Sequence, residues 1–174
     1  MKRLLIILMM TLNSPTLLAD NNRIDLIRPD APELAAFGDH DVGVRTLSLT
    51  NPQQPDILNT PRDGDTVYAD RPLTVEVWYP AALGEQQAPG THYQTTTRNP
   101  AITATLTGMA VRDATPKREG AAYPLVIISH GYPGNRYLMS HLGENLASKG
   151  YVVAAIDHTC LLYTSDAADE EDSV

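Results

Sequence analysis

The stretch SHGYPGNR, Ser129 to Arg136, gathers residue types suited to holding a negative charge. It follows the apolar run YPLVIIS and precedes a helical pattern. Gly131 and Gly134 permit φ > 0 and leave room for a ligand against bare backbone, while Pro133 fixes a dihedral between them. Free N–H groups in such a turn, beside a helix N-terminus, attract an oxyanion or a phosphate. In acyl transfer, each donor aimed at the developing oxyanion contributes about 3 kcal/mol.

The nucleophile that such a loop would serve is missing. No G-x-S-x-G occurs, and Ser129 and Ser140 have other neighbours. The remaining polar residues each admit two readings. His130, at a strand end, is a loop brace or a structural histidine. Asp157 and His158 close the next strand at the same edge, where they line a pocket or cap the strand. His158 alone has no metal-ligand spacing. Arg136 stands at a helix start, where the dipole favours anions, so it pairs with an acid or holds an anionic substrate group. Trp78 reads as core or sheet-face packing.

These residues need elements to place them. VGVRTLSL, Val42 to Leu49, reads as a strand whose phase shifts between Val44 and Leu47, a bulge or a short edge strand. Asn51 to Arg71 reads as a turn-rich excursion. RPLTVEVWYP alternates cleanly, with Leu73, Val75, Val77 and Tyr79 on one face and Thr74, Glu76 and Trp78 on the other; Pro80 is expected to end it. A short helix is expected around Ile102 to Leu106. PLVIIS is a continuous apolar run, the pattern of a strand buried on both faces inside a parallel sheet. YLMSHLGENLASKG carries Leu138, Leu142 and Leu146 at four-residue spacing, with Gly150 as C-terminal cap, and YVVAAID is a second buried strand. Strand, loop, helix and strand make a right-handed βαβ unit. The two earlier strands form an antiparallel start to the sheet. Strand Val152–Ile156, lacking later neighbours, is expected to present an unpaired edge.

Composition narrows the classes. The chain has 21 acidic and 13 basic side chains, a net charge of −8, but five of the acids fall in the stretch CLLYTSDAADEEDSV, Cys160 to Val174. The remainder is mildly acidic, which argues against nucleic-acid binding. That stretch also holds the only cysteine, so neither a disulfide framework nor a thiolate metal site is expected. MKR followed by LLIILMMTL reads as a secretory signal over residues 1–19, too short to anchor in a bilayer. Export to the periplasm or medium follows. Residues 20–159 form the domain. Cys160 to Glu170 resembles a translated sequencing-library adapter, so residues 160–174 read as a non-native acidic tail.

DVGVRTLSLT, RPLTVEVWYPA, YPLVIISHGYPGNR and LGENLASKGYVVAAIDHT together resemble the α/β-hydrolase fold. More narrowly they are similar to bacterial esterases of the dienelactone-hydrolase and platelet-activating-factor-acetylhydrolase kind. The resemblance covers most of Asp41 to Thr159 and implies the N-terminal half of an α/β-hydrolase sheet, truncated. It implies hydrolysis of a carboxylic ester by a Ser-His-Asp/Glu triad, without cofactor or metal, on a small ester or lipid-like substrate. The residue after the His-Gly pair then supplies a backbone N–H to the oxyanion hole. That role falls on Tyr132, with Gly131 providing the turn and His130 supporting the loop; Asp157, His158 and Arg136 are candidates to line the pocket. The triad itself is absent, so the chain as given is expected to be inactive. A different class stays open: a non-catalytic α/β binding domain whose glycine loop holds an anionic ligand. Its signal is weaker, since GYPGNR has neither the Lys-Ser/Thr of a P-loop nor G-x-G-x-x-G.

Overall fold

The computed structural model describes residues 22–97, 99, 101–131 and 134–158. The expected signal segment, Tyr132, Pro133 and the tail lie outside them. In chain order the elements are β1 (Asn22–Arg23), β2 (Asp41–Pro55), β3 (Tyr68–Ala82), β4 (His92–Thr96), β5 (Thr103–Thr107), β6 (Val111–Arg112), β7 (Thr115–Pro116), β8 (Leu125–Ser129), α1 (Ser140–Ser148) and β9 (Val152–Ile156).

The main sheet has strand order β6-β2-β3-β9-β8, with β7 also on β3; a small sheet has order β1-β5-β4. β2 and β3 form the expected antiparallel start, with Val44 opposite Trp78. Both strands are longer than their sequence patterns suggest. The register shift falls between Asn51 and Gln54, where Gln53 takes φ 52°, and not between Val44 and Leu47. The two ends of the turn-rich excursion are therefore strand, and its middle keeps the expected turns. Pro80 does not end β3: its carbonyl still accepts the Lys117 N–H at 2.9 Å, and Ala81 and Ala82 go on to pair β7.

The expected helix around Ile102 to Leu106 is instead β5, paired antiparallel with β4. Alternating Thr103, Thr105 and Thr107 favour a pleated strand over a helical turn. β8, α1 and β9 form the expected crossover, β8 and β9 running parallel from Leu125 opposite Val152 to Ser129 opposite Ile156. The order of these strands differs from expectation. α1 returns the chain to the inner side of β8, so β9 lies between β3 and β8 and is paired on both sides. Among the described residues β8 is the edge, and Leu125 and Ile127 are each 63% exposed.

α1 packs on one face of the sheet, over a core of Val42, Val44, Trp78, Tyr93, Tyr137, Ala147, Val153 and Ala155. The leucine stripe is not its buried side. Ser140, Gly143, Glu144, Ala147 and Ser148 face inward, whereas Leu138 is exposed and Leu142 and Leu146 are half-buried. The reason is closeness: a Cβ on Gly143 would stand 2.7 Å from Trp78 Cε3, so only small residues fit that seam. Gly150, at φ 91°, caps the helix as expected. Its N–H donates to the Ala147 carbonyl at 3.1 Å and the Tyr151 N–H to the Leu146 carbonyl at 3.2 Å, the Schellman pattern. A smaller apolar group, Tyr79, Ala81, Val111 and Ala114, lies on the other side of the sheet.

Candidate active site

The loop after β8 leaves the carboxyl end of the parallel pair, the edge where open α/β sheets hold ligands. Its start and its end are both tied to the two residues after β9. Ser129 Oγ lies 2.8 Å from His158 Nε2. The His158 N–H donates to His130 Nε2 at 3.4 Å, and the two imidazole rings stand 4.8 Å apart. His130 is buried, with Nδ1 3.1 Å from the Gly131 carbonyl oxygen. At the other end the Arg136 N–H donates to Asp157 Oδ1 at 2.7 Å, and its guanidinium pairs with Asp157 Oδ2.

The two loop glycines differ. Gly131 is exposed, has no positive φ, and a Cβ there would meet nothing within 4 Å. At Gly134 a Cβ would fall 2.6 Å from the Gly131 carbonyl oxygen and 3.1 Å from His130 Nδ1. The tight approach that needs glycine is at Gly134. Tyr132, the expected oxyanion donor, lies outside the described residues.

Arg136 is committed to acids. Besides Asp157, its Nε stands 3.5 Å from Glu76 Oε2, Nη2 donates to Tyr137 Oη at 2.8 Å, and the guanidinium sits 4.3 Å from the centre of the Tyr137 ring. Burial works against its charge, but Asp157 and Tyr137 together more than offset this and raise its pKa. It does not begin the helix, which starts at Ser140, so the dipole conflict expected from sequence does not arise. Glu76 is fully buried and also accepts the Thr46 hydroxyl at 2.7 Å and the Arg112 guanidinium. Sequence reasoning placed Glu76 on the Trp78 face without giving it a role. The available signal was a carboxylate between two valines in a core strand, which demands a cation.

A second buried carboxylate was also missed. Glu144 Oε1 accepts the Tyr93 hydroxyl at 2.6 Å and the Ala110 N–H at 3.1 Å, and Oε2 accepts the Met109 N–H at 2.8 Å. Trp78 Nε1 donates to Tyr93 Oη at 2.9 Å, extending the chain of hydrogen bonds into the core. Burial pushes the Glu144 carboxyl up and outweighs its three donors. Burial also raises the Tyr93 phenol. This network fastens α1 to β4 and to the turn after β5; it does not reach the loop. Among the described residues no group of three or more His, Cys, Asp or Glu could hold a metal, and no helix is long and apolar enough to cross a membrane.

A family model described as platelet-activating factor acetylhydrolase, isoform II, matches residues 38–170. The chain belongs to this family. Members from dog (Canis lupus familiaris) and cattle (Bos taurus), both platelet-activating factor acetylhydrolases, are each 49% identical over 43 and 41 residues. These segments are 25% and 24% of this chain, but only 10% and 9% of those proteins. The chain thus matches about a tenth of their length. A ferulic acid esterase from Streptomyces cinnamoneus superposes with a TM-score of 0.53 at 28% identity, over 81% of this chain and 37% of that one. The fold is that of an α/β-hydrolase-like esterase, and the chain is a hydrolase-family member of the esterase kind.

Proposed function

We propose that the chain is the N-terminal part of an exported serine esterase that hydrolyses carboxylic esters of small or lipid-like substrates. What supports the reading most is the fastening of the loop Ser129–Arg136 to Asp157 and His158 at the carboxyl edge of β8 and β9. A donor loop works only if its N–H groups are held in place before charge develops. In this reading the Tyr132 N–H is one oxyanion donor, Gly131, with open space at its Cβ position, provides the turn, and His130 braces it. Asp157 and His158 hold the loop from below. Arg136, already neutralised by Asp157 and Glu76, positions the loop and does not hold an anionic substrate group.

The serine, histidine and acid of the triad belong to sequence beyond Thr159, with Cys160 to Val174 a foreign tail and residues 1–19 an export signal. The names of the relatives, an acetylhydrolase and a ferulic acid esterase, share ester cleavage, and that common chemistry is carried over here. No cofactor enters this chemistry. Reading the uninterrupted gene from an independent clone tests the proposal. A downstream G-x-S-x-G, followed by an acid and a histidine, is the expected result. An uninterrupted frame without them sinks the esterase reading and favours an anion-binding domain. The chain as given is expected to show no multiple turnover of p-nitrophenyl esters; many product molecules per chain contradict the absence of the triad.

A further inference from the structure

We propose that Ser129 is itself an acyl acceptor, activated by His158, and that it takes aliphatic acyl groups from reactive esters in a single transfer. This site is separate from the triad proposed above and does not depend on it. Three observations carry it.

The first is the contact. Ser129 Oγ and His158 Nε2 are 2.8 Å apart on an exposed surface, the distance at which an imidazole takes a hydroxyl proton. The second is orientation. A nucleophile and base become a catalytic pair when a third group fixes the base. His130 does this here. With its Nδ1–H directed to the Gly131 carbonyl, His130 Nε2 is left as an acceptor and receives the His158 N–H, while its ring abuts the His158 ring. His158 is held by backbone and by ring, with Nε2 toward Ser129. The third is the surface beside the hydroxyl. Alternation along β8 puts Leu125, Ile127 and Ser129 on one face, each exposed. The parallel register sets Val152, Ala154 and Ile156 next to them, all partly exposed. Ser129 thus stands at the end of an apolar strip, where the tail of an aliphatic ester can lie while its carbonyl meets Oγ.

The step balances without a further reactant. Ser129 Oγ attacks the ester carbonyl carbon, and its proton passes to His158 Nε2. The tetrahedral adduct collapses, the bond to the leaving oxygen breaks, and the leaving group departs as a phenolate or takes the proton back from His158 as an alcohol. Ser129 retains the acyl group as an ester. An alkyl ester of serine hydrolyses far more slowly than an activated p-nitrophenyl ester acylates, and Ser129 belongs to no triad that would speed its deacylation, so one acyl group per chain is the end point.

The test uses the full chain with p-nitrophenyl butyrate and p-nitrophenyl acetate. The expected result is release of one p-nitrophenolate per chain, with the acyl group located at Ser129 by peptide mass spectrometry. Ser129→Ala, at an exposed position, abolishes the burst without changing the circular dichroism spectrum. His158→Ala slows it about a hundredfold, the usual scale of general-base assistance. Butyrate reacts faster than acetate, and Ile127→Lys removes that preference. Absence of a burst, an acyl group on a lysine or tyrosine instead, or an undiminished burst in Ser129→Ala overturns the proposal. None of these outcomes bears on whether a triad lies downstream.

Discussion

Glu144 is a carboxyl surrounded by donors, and that surrounding makes its protonation a stability question. Its native pKa is raised above the ordinary 4.5 by burial. The folded chain therefore holds this proton more tightly than the unfolded chain does. Between 4.5 and the raised native value the unfolded state binds fewer protons, so this group makes stability fall as pH rises across that window. Glu144→Gln should remove that part of the slope. It should also cost roughly 1–3 kcal/mol, because the amide nitrogen turns one former acceptor into a donor facing Met109, Ala110 or Tyr93. Urea midpoints at several pH values check both; an unchanged slope in the variant rules out Glu144 as its source. Nothing in LGENLASKG distinguishes this glutamate from a solvated one, since all three of its partners come from distant segments. His130 and Arg136 were legible as residues of interest, but their partners, His158 and Asp157, were found only in space.

At the scale of elements, the seam between α1 and β3 decides how closely helix and sheet approach. Gly143→Ala puts a methyl 2.7 Å from the Trp78 ring, which is also held through its Nε1 by Tyr93 and has little freedom to retreat. A loss of about 1–3 kcal/mol is expected, the usual cost of overpacking, although alanine favours the helix by roughly 1 kcal/mol. Thermal unfolding checks this, and a stabilised variant refutes the close seam. Helical spacing alone pointed to the leucines as the buried stripe. The period was read correctly but the phase was not, because glycine, alanine and serine carry little hydrophobic signal yet allow the closest contact. The same kind of conflict placed a helix at Ile102 to Leu106, where cross-strand pairing with β4 prevails over a weak local pattern.

For the molecule as a whole, the open side of the sheet is the dominant feature. Among the described residues β8 has β9 on one side only, and Leu125 and Ile127 meet solvent. Exposed apolar edge strands template pairing between chains. Ile127→Lys should leave the unfolding free energy from urea titration within about 0.5 kcal/mol of the parent, as for surface changes generally, while slowing aggregation measured by light scattering. Equal aggregation in both chains places the association elsewhere. The amino-acid sequence by itself determined the antiparallel β2–β3 start, the β8–α1–β9 crossover, the Gly150 cap and the loop at the carboxyl edge. Each rests on local periodicity, turn chemistry or a short motif. Tertiary structure alone decided the strand order, which makes β8 rather than β9 the edge. It also decided which helix face is buried, and the joining of Ser129 to His158 and of Arg136 to Asp157 and Glu76. Those contacts bring together residues more than twenty positions apart, and no local pattern specifies distances across a crossover.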